Sequence, residues 1–313
     1  MKYIILIFFF LVSLLNAQTS NNKKEIYLDI NYQSTTRDNA AYCVVKDFFN
    51  DTITNIKKYY LSKKGAILVE NYYVDLAQKK QGKYNSYFKT GTKKEDGVYL
   101  NDKKDGIWKF YNSCKKYNDT VYISLISREL SYKNNRKNGR YKEYDYIGSV
   151  LGEGQYNNDK LIGLWKWYYP RFRIHSKETY DKKGVLINIK QWEFFGNEKI
   201  KDVKPMFDNE SRIDYLKNKI QTAIVYNFDI HANKRPMKYV DKIYLKILID
   251  KNGKIHTLKA KGTFELNKIY EERAKQVIDN MSNIEPFYSH NKVIDKKFSF
   301  NVSVIPWVVK SLN

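Results

Sequence analysis

Two kinds of hydrophobic patterning divide this chain. Between residues 58 and 200, aromatic residues recur two or three positions apart with polar residues between them, close to the period of a half-buried strand. The pattern is also repeated. Residues 97–111 (GVYLNDKKDGIWKFY) and 154–168 (GQYNNDKLIGLWKWY) agree at nine of fifteen positions over an offset of 57. The shared positions include Gly97/Gly154, Asn101/Asn158, Asp102/Asp159, Gly106/Gly163, Trp108/Trp165 and Tyr111/Tyr168. Weaker copies open at Gly82-Lys83-Tyr84 and Gly139-Arg140-Tyr141, and Gly82 to Gly106 and Gly139 to Gly163 both span 24 residues. Asn and Asp tolerate left-handed backbone and Gly adopts positive φ freely, so Asn-Asp-Lys ahead of the second Gly predicts a tight turn. Each unit therefore reads as a β-hairpin. One hairpin cannot bury its aromatic face alone, so successive hairpins are expected to stack into an elongated sheet. Trp108, Trp165 and Trp167 are expected in the core of that sheet.

From about residue 203 the period becomes helical. Ile213, Leu216, Ile220, Ala223 and Ile224 predict a helix over 210–228, and Val240–Asp250 predicts a strand. Asp250-Lys251-Asn252-Gly253-Lys254 is a hairpin turn returning into Ile255–Ala260. Leu266, Ile269, Tyr270, Ala274, Val277, Ile278 and Met281 trace a second helix, and Lys297–Val304 alternates as a last strand. A three-stranded antiparallel sheet with helices against one face would bury these stripes. Upstream, Glu25–Tyr32 and Ala41–Phe49 read as strands. The fold class is thus mainly β with an α+β C-terminal domain: an elongated sheet of repeated hairpins, then a helix-strand-strand-helix-strand module.

The first 17 residues differ from both regions. Lys2 precedes an apolar run from Tyr3 to Leu15, and Ala17 precedes Gln18. Such a run is short of the roughly 20 residues that a membrane-spanning helix needs. It reads as a secretory signal peptide cleaved after Ala17. The organisation expected is therefore a signal peptide (1–17), an N-terminal β region (18–57), hairpin repeats (58–200) and the C-terminal module (203–313). Export would take the chain to the periplasm or cell envelope, or into the medium.

The Gly-x-Trp-Lys-x-Tyr hairpins resemble the MORN-repeat variant family over about residues 58–198. That resemblance implies a binding or structural scaffold, and some members of the family carry an antitoxin label. The C-terminal module resembles the TonB C-terminal domain over about residues 213–307. It does so in Ile249-Asp250-Lys251-Asn252-Gly253-Lys254-Ile255, in the Leu266 to Met281 helix, in Ile284-Glu285-Pro286-Phe287 and in Phe298–Val304. It implies an interaction module that pairs with a short strand of an envelope protein, such as an outer-membrane receptor segment. The edge expected to do so is the last strand, with Phe298, Phe300, Val302 and Val304.

Composition changes this picture little. The formal charge is +22, but the 56 basic residues comprise 47 Lys and only 9 Arg and are scattered through every segment. That favours a solvated surface, and no nucleic-acid partner is expected. Contact between the sheet's lysines and anionic lipid or glycan is the alternative reading. Cys43 and Cys114 are candidates for a disulfide in an exported chain, with two buried thiols as the equal alternative. His175, His231, His256 and His290 are too far apart in sequence to suggest a metal site. Gly152-Glu153-Gly154 lacks the context of a phosphate loop, and Glu271-Glu272 falls on a polar helix face. No catalytic residue, cofactor or metal is expected, and the chain does not read as an enzyme.

Overall fold

The computed structural model describes residues 23–48, 50–115, 122–146, 148–169, 173–193, 195–200, 203–206, 209–227, 241–262, 267–284, 286–289 and 292–304. The segment read above as a signal peptide, His231 and His290 lie outside the described residues. The protein is mainly β, with a small α+β C-terminal part. Fourteen strands form one antiparallel meander in which every strand pairs with its sequence neighbours. They are β1 (Lys23–Leu28), β2 (Tyr42–Phe48), β3 (Ile53–Ser62), β4 (Gly65–Asp75), β5 (Lys80–Tyr87), β6 (Lys93–Leu100) and β7 (Lys103–Lys115). β8 (Tyr122–Lys133), β9 (Arg136–Tyr144), β10 (Val150–Asn157), β11 (Lys160–Tyr169), β12 (Arg173–Tyr180), β13 (Leu186–Trp192) and β14 (Glu198–Lys199) follow.

The repeat chemistry sets the turns. The two-residue connections β6–β7, β8–β9 and β10–β11 hold Asn101-Asp102, Asn134-Asn135 and Asn158-Asp159, all at positive φ between 47° and 69°. Both central residues at positive φ define the type I′ turn, whose twist matches that of the strands it joins. Each turn is locked to the preceding hairpin. The Asp102 amide donates to the Lys80 carbonyl (3.0 Å), while its Oδ1 accepts from the Lys80 amide (2.7 Å). Asp159 repeats this on Lys137 (2.9 and 2.8 Å). Lys80 and Lys137, and Lys104 whose carbonyl accepts the Asn135 amide (2.9 Å), reach over the aromatic stack: Lys80 lies 5.1 Å from the Tyr84 ring centre, Lys104 3.8 Å from Trp108 and Lys137 5.0 Å from Tyr156. Sequence reasoning placed these lysines in solvent; they are caps on buried rings.

The aromatic face is closed by glycine. Trp108 and Trp165 are fully buried and lie flat on the backbone of Gly97 and Gly154. A Cβ on Gly97 would come within 2.3 Å of the Trp108 ring, and one on Gly154 within 2.1 Å of Trp165. The Trp108 Nε1–H donates to the Val98 carbonyl and that of Trp165 to the Gln155 carbonyl, each at 3.1 Å. Gly152 gives the same room to Trp167, so the Gly152-Glu153-Gly154 pair seats two indoles. Gly154→Ala is expected to destabilise the protein by about 1–3 kcal/mol, the usual effect of overpacking. Urea unfolding would read this, and a wild-type midpoint would show that the indole shifts freely.

The opposite face carries a charge ladder. Cross-strand partners run Asp96–Lys109–Glu129–Lys142–Glu153–Lys166, alternating in sign across β6 to β11. Lys109 and Glu129 are 3.4 Å apart, and Lys166 and Glu153 3.6 Å. Opposite charges facing each other are the favourable cross-strand arrangement. Beyond β11 the alternation stops, and Lys166, Lys177 and Lys190 face one another across β11 to β13.

The C-terminal part comprises α1 (Asn209–Asn227), β15 (Asp241–Ile249), β16 (Ile255–Gly262), α2 (Asn267–Asp279), β17 (Phe287–Ser289), β18 (Lys292–Ile294) and β19 (Lys296–Val304). β15, β16 and β19 form the three-stranded sheet in the order β16-β15-β19. β17 and β18 add a short hairpin whose three-residue strands leave no periodic signal to read. One face of the sheet is apolar, with Ile243, Leu245, Ile247 and Ile249 at most 1% exposed. They share one core cluster with Leu216, Ile220, Ala223 and Ile224 of α1 and Ala274 and Ile278 of α2. Cys114 of β7 and Tyr146 of the β9–β10 connection join that cluster. The two parts therefore pack around a common interior.

Candidate functional site

Three features could carry function: the edge of the small sheet, the seam between the two sheets, and a cavity beside that seam. The edge comes first. β19 pairs with β15 from Asp241↔Val304 to Ile249↔Lys296 and, among the described residues, with no other strand. Val302 is buried, and Phe298 and Phe300 are half-buried, packed on the core with ring centres 5.9 Å apart. Lys297, Ser299 and Asn301 point the other way and are exposed. The side chain of Val304 lies outside the described residues. Alternation thus anchors one face of the strand and leaves its outer face polar.

The seam is polar and specific. The Ser113 amide donates to the Asn280 carbonyl (3.0 Å), and the Ser282 amide to Asn112 Oδ1 (2.9 Å). The Ser127 and Ser282 hydroxyls are 2.6 Å apart. Arg128 Nη2 donates to the Asn283 carbonyl (3.2 Å), and within the C-terminal part Arg212 Nη1 of α1 donates to the Pro286 carbonyl (2.8 Å). At its centre Lys219 of α1 is salt-bridged to Glu143 of β9, both buried. The Tyr141 hydroxyl donates to the other Glu143 oxygen at 2.8 Å. Burial pushes the Glu143 carboxyl upward, but Lys219, the Tyr141 hydroxyl and Arg128 outweigh it and leave the group below its ordinary value. Glu178 behaves oppositely. It is fully buried and takes hydrogen bonds from the Tyr180 hydroxyl (2.6 Å), the Met206 amide (2.8 Å) and the Ser176 hydroxyl (3.0 Å). Burial wins there and raises its pKa.

Beside the seam, where β10 to β13 end against α1, lies a cavity of about 300 Å³. Leu151, Met206, Tyr146 and Tyr215 supply apolar surface, and Ser211, Asn218 and Thr222 of α1 supply polar groups. His175 lines it as well, its ring edge-on to Tyr169 with centroids 4.8 Å apart. Burial and the nearby Lys199 charge hold the imidazole neutral, with its pKa lowered to about 4.

The other residues singled out by sequence fall apart in space. No disulfide joins Cys43 and Cys114; both are buried thiols. They sit on β2 and β7, five strand steps apart, or about 24 Å at 4.8 Å per strand, against a Cα separation of about 6 Å in a disulfide. His256, read as solvated, instead sets its Nε2 at 2.8 Å from Asp250 Oδ2 across the hairpin turn. Asp250 Oδ1 accepts from the Asn252 (2.8 Å) and Lys254 (3.0 Å) amides. His175, set aside in the sequence as too far from the other histidines for a metal site, lines the cavity instead, and Glu143, Arg128 and Lys219 are not singled out by the sequence. Only Lys219 left a signal, a cation between Leu216, Ile220 and Ala223 on the apolar face of a helix. Among the described residues no cluster of three His, Cys, Asp or Glu side chains could hold a metal ion.

Compared with known proteins, the chain matches no protein-family model, and no curated protein sequence matches it.

Proposed function

We propose that the protein is an exported cell-envelope interaction module, a MORN-like scaffold carrying a TonB-like domain that binds an envelope protein by strand pairing. The observation that carries this reading is the position of β19, an edge strand that pairs with β15 alone among the described residues. An edge strand presents a row of backbone N–H and C=O groups, and an extended segment of a partner adds to it by β-augmentation. Phe298, Phe300 and Val302 hold the strand to its own core, so the edge is rigid before a partner arrives. A preformed edge loses little conformational entropy on binding.

The experiment is site-specific photo-crosslinking in intact cells. A photoreactive residue replacing exposed Ser299 is expected to capture an envelope protein, and one replacing Leu100, exposed at the far turn of β6, is not. Equal capture from both positions, or none from Ser299 where a TonB C-terminal domain handled in parallel captures its receptor, would remove the reading.

A further inference from the structure

We propose that the cavity between the ends of β10–β13 and α1 binds a small, uncharged, hydroxyl-bearing ring compound, a neutral saccharide unit. At about 300 Å³ it stands at the small end of ligand sites, which suits one or two rings. Its apolar part, Leu151, Met206, Tyr146 and Tyr215, comes from the large sheet, the approach to α1 and α1 itself. Its polar part lies at helical spacing on α1: Ser211, Asn218 and Thr222. Asn218 is exposed and carries both an amide donor and a carbonyl acceptor. A sugar ring has this same division, an apolar C–H face and a rim of hydroxyls that each donate and accept.

The charges around the cavity argue for a neutral ligand. Lys219 is committed to the buried Glu143, while Asp214 is an exposed rim carboxylate 3.0 Å from Lys217. Asp145 Oδ1 accepts the Ser149 amide at 2.8 Å. His175 is uncharged at neutral pH. Lys199, on the exposed short strand β14, is the remaining cation of the lining. An ion entering such a site would be desolvated while most of the charges able to repay it are already matched within the protein. Hydroxyls lose less on entry and gain directional bonds.

The site lies against the large sheet and not at the β19 edge, so it stands or falls separately from strand pairing. The test is calorimetric titration of the mature chain with glucose, galactose, mannose and N-acetylglucosamine. Glucuronate and glucosamine serve as charged counterparts. Trp167, whose ring centre is 6.0 Å from that of Tyr215, gives a parallel fluorescence signal. At least one neutral sugar is expected to bind saturably, and at least about tenfold more tightly than a charged counterpart. Asn218→Trp, on the exposed face of α1, should weaken that binding by at least about tenfold with an unchanged melting temperature. Thr222→Trp does the same duty if the first variant loses its fold. The proposal is overturned if none of the neutral sugars titrates, if a charged counterpart binds equally well, or if a folded tryptophan variant binds like the parent.

Discussion

Lys219→Met is expected to destabilise the protein by about 3 kcal/mol, because it leaves Glu143 buried with its ion-pair partner gone. The lower end of the usual range is expected, since the Tyr141 hydroxyl and Arg128 still favour the charged carboxylate. Replacing both partners, with Glu143→Leu added, should recover most of the loss. Two matched apolar groups cost less than one orphaned charge, although Tyr141 then loses its acceptor. The four proteins form a double-mutant cycle, read by urea unfolding at neutral pH. Additive losses would show that the pair is not coupled.

The same pair fixes a pH dependence. The Glu143 pKa is lowered in the folded state, so its stabilising contribution is complete above the unfolded value of about 4.3 and fades as pH falls through the lower folded value. Glu178 has the opposite sign. Its raised folded pKa means that ionisation opposes folding as pH climbs above the unfolded value. In Lys219→Met the acid loss due to Glu143 should therefore shrink, and the stability profile should flatten towards low pH.

Trp165→Ala is the second large effect, an expected loss of about 3–5 kcal/mol. Trp165 is fully buried, 5.8 Å from Trp167 and 5.0 Å from Tyr156 between ring centres, and its indole N–H bonds the Gln155 carbonyl. Truncation leaves a cavity beside Gly154, whose lack of a side chain prevents collapse from that side. The loss should be read as a fall in melting temperature and in the urea midpoint. A loss below about 1 kcal/mol would mean that the indole is loosely held.

These residues also indicate what sequence can disclose. The Asn-Asp turns and the Gly-x-Trp units were legible because turn and side-chain seat lie within fifteen residues of each other. The α1 and α2 stripes and the Asp250–Lys254 turn were legible for the same reason. That β1 and β2, set apart within 18–57, continue the same sheet was not legible, because they lack the Gly-x-Trp unit. The seam was harder still. Glu143 and Lys219 are 76 positions apart, and Asn112 and Ser282 are 170 apart. Their meeting depends on how the helical layer docks, which no local period encodes. The cavity beside His175 needs both partners in place before it exists. The cysteines illustrate the converse, since a plausible pairing by number is cancelled by five steps across a sheet.

The interlocked type I′ turns have an evolutionary corollary. β7, β9 and β11 send Trp108, Tyr141 and Trp165 inward and Lys109, Lys142 and Lys166 to the opposite surface, and each Asn or Asp turn grips the start of the strand two places before it, so loss of a single strand leaves a turn without its partner. Lineages carrying this architecture should therefore gain and shed length in quanta of two strands, or of the full 57-residue block, and lone-strand deletions should be purged.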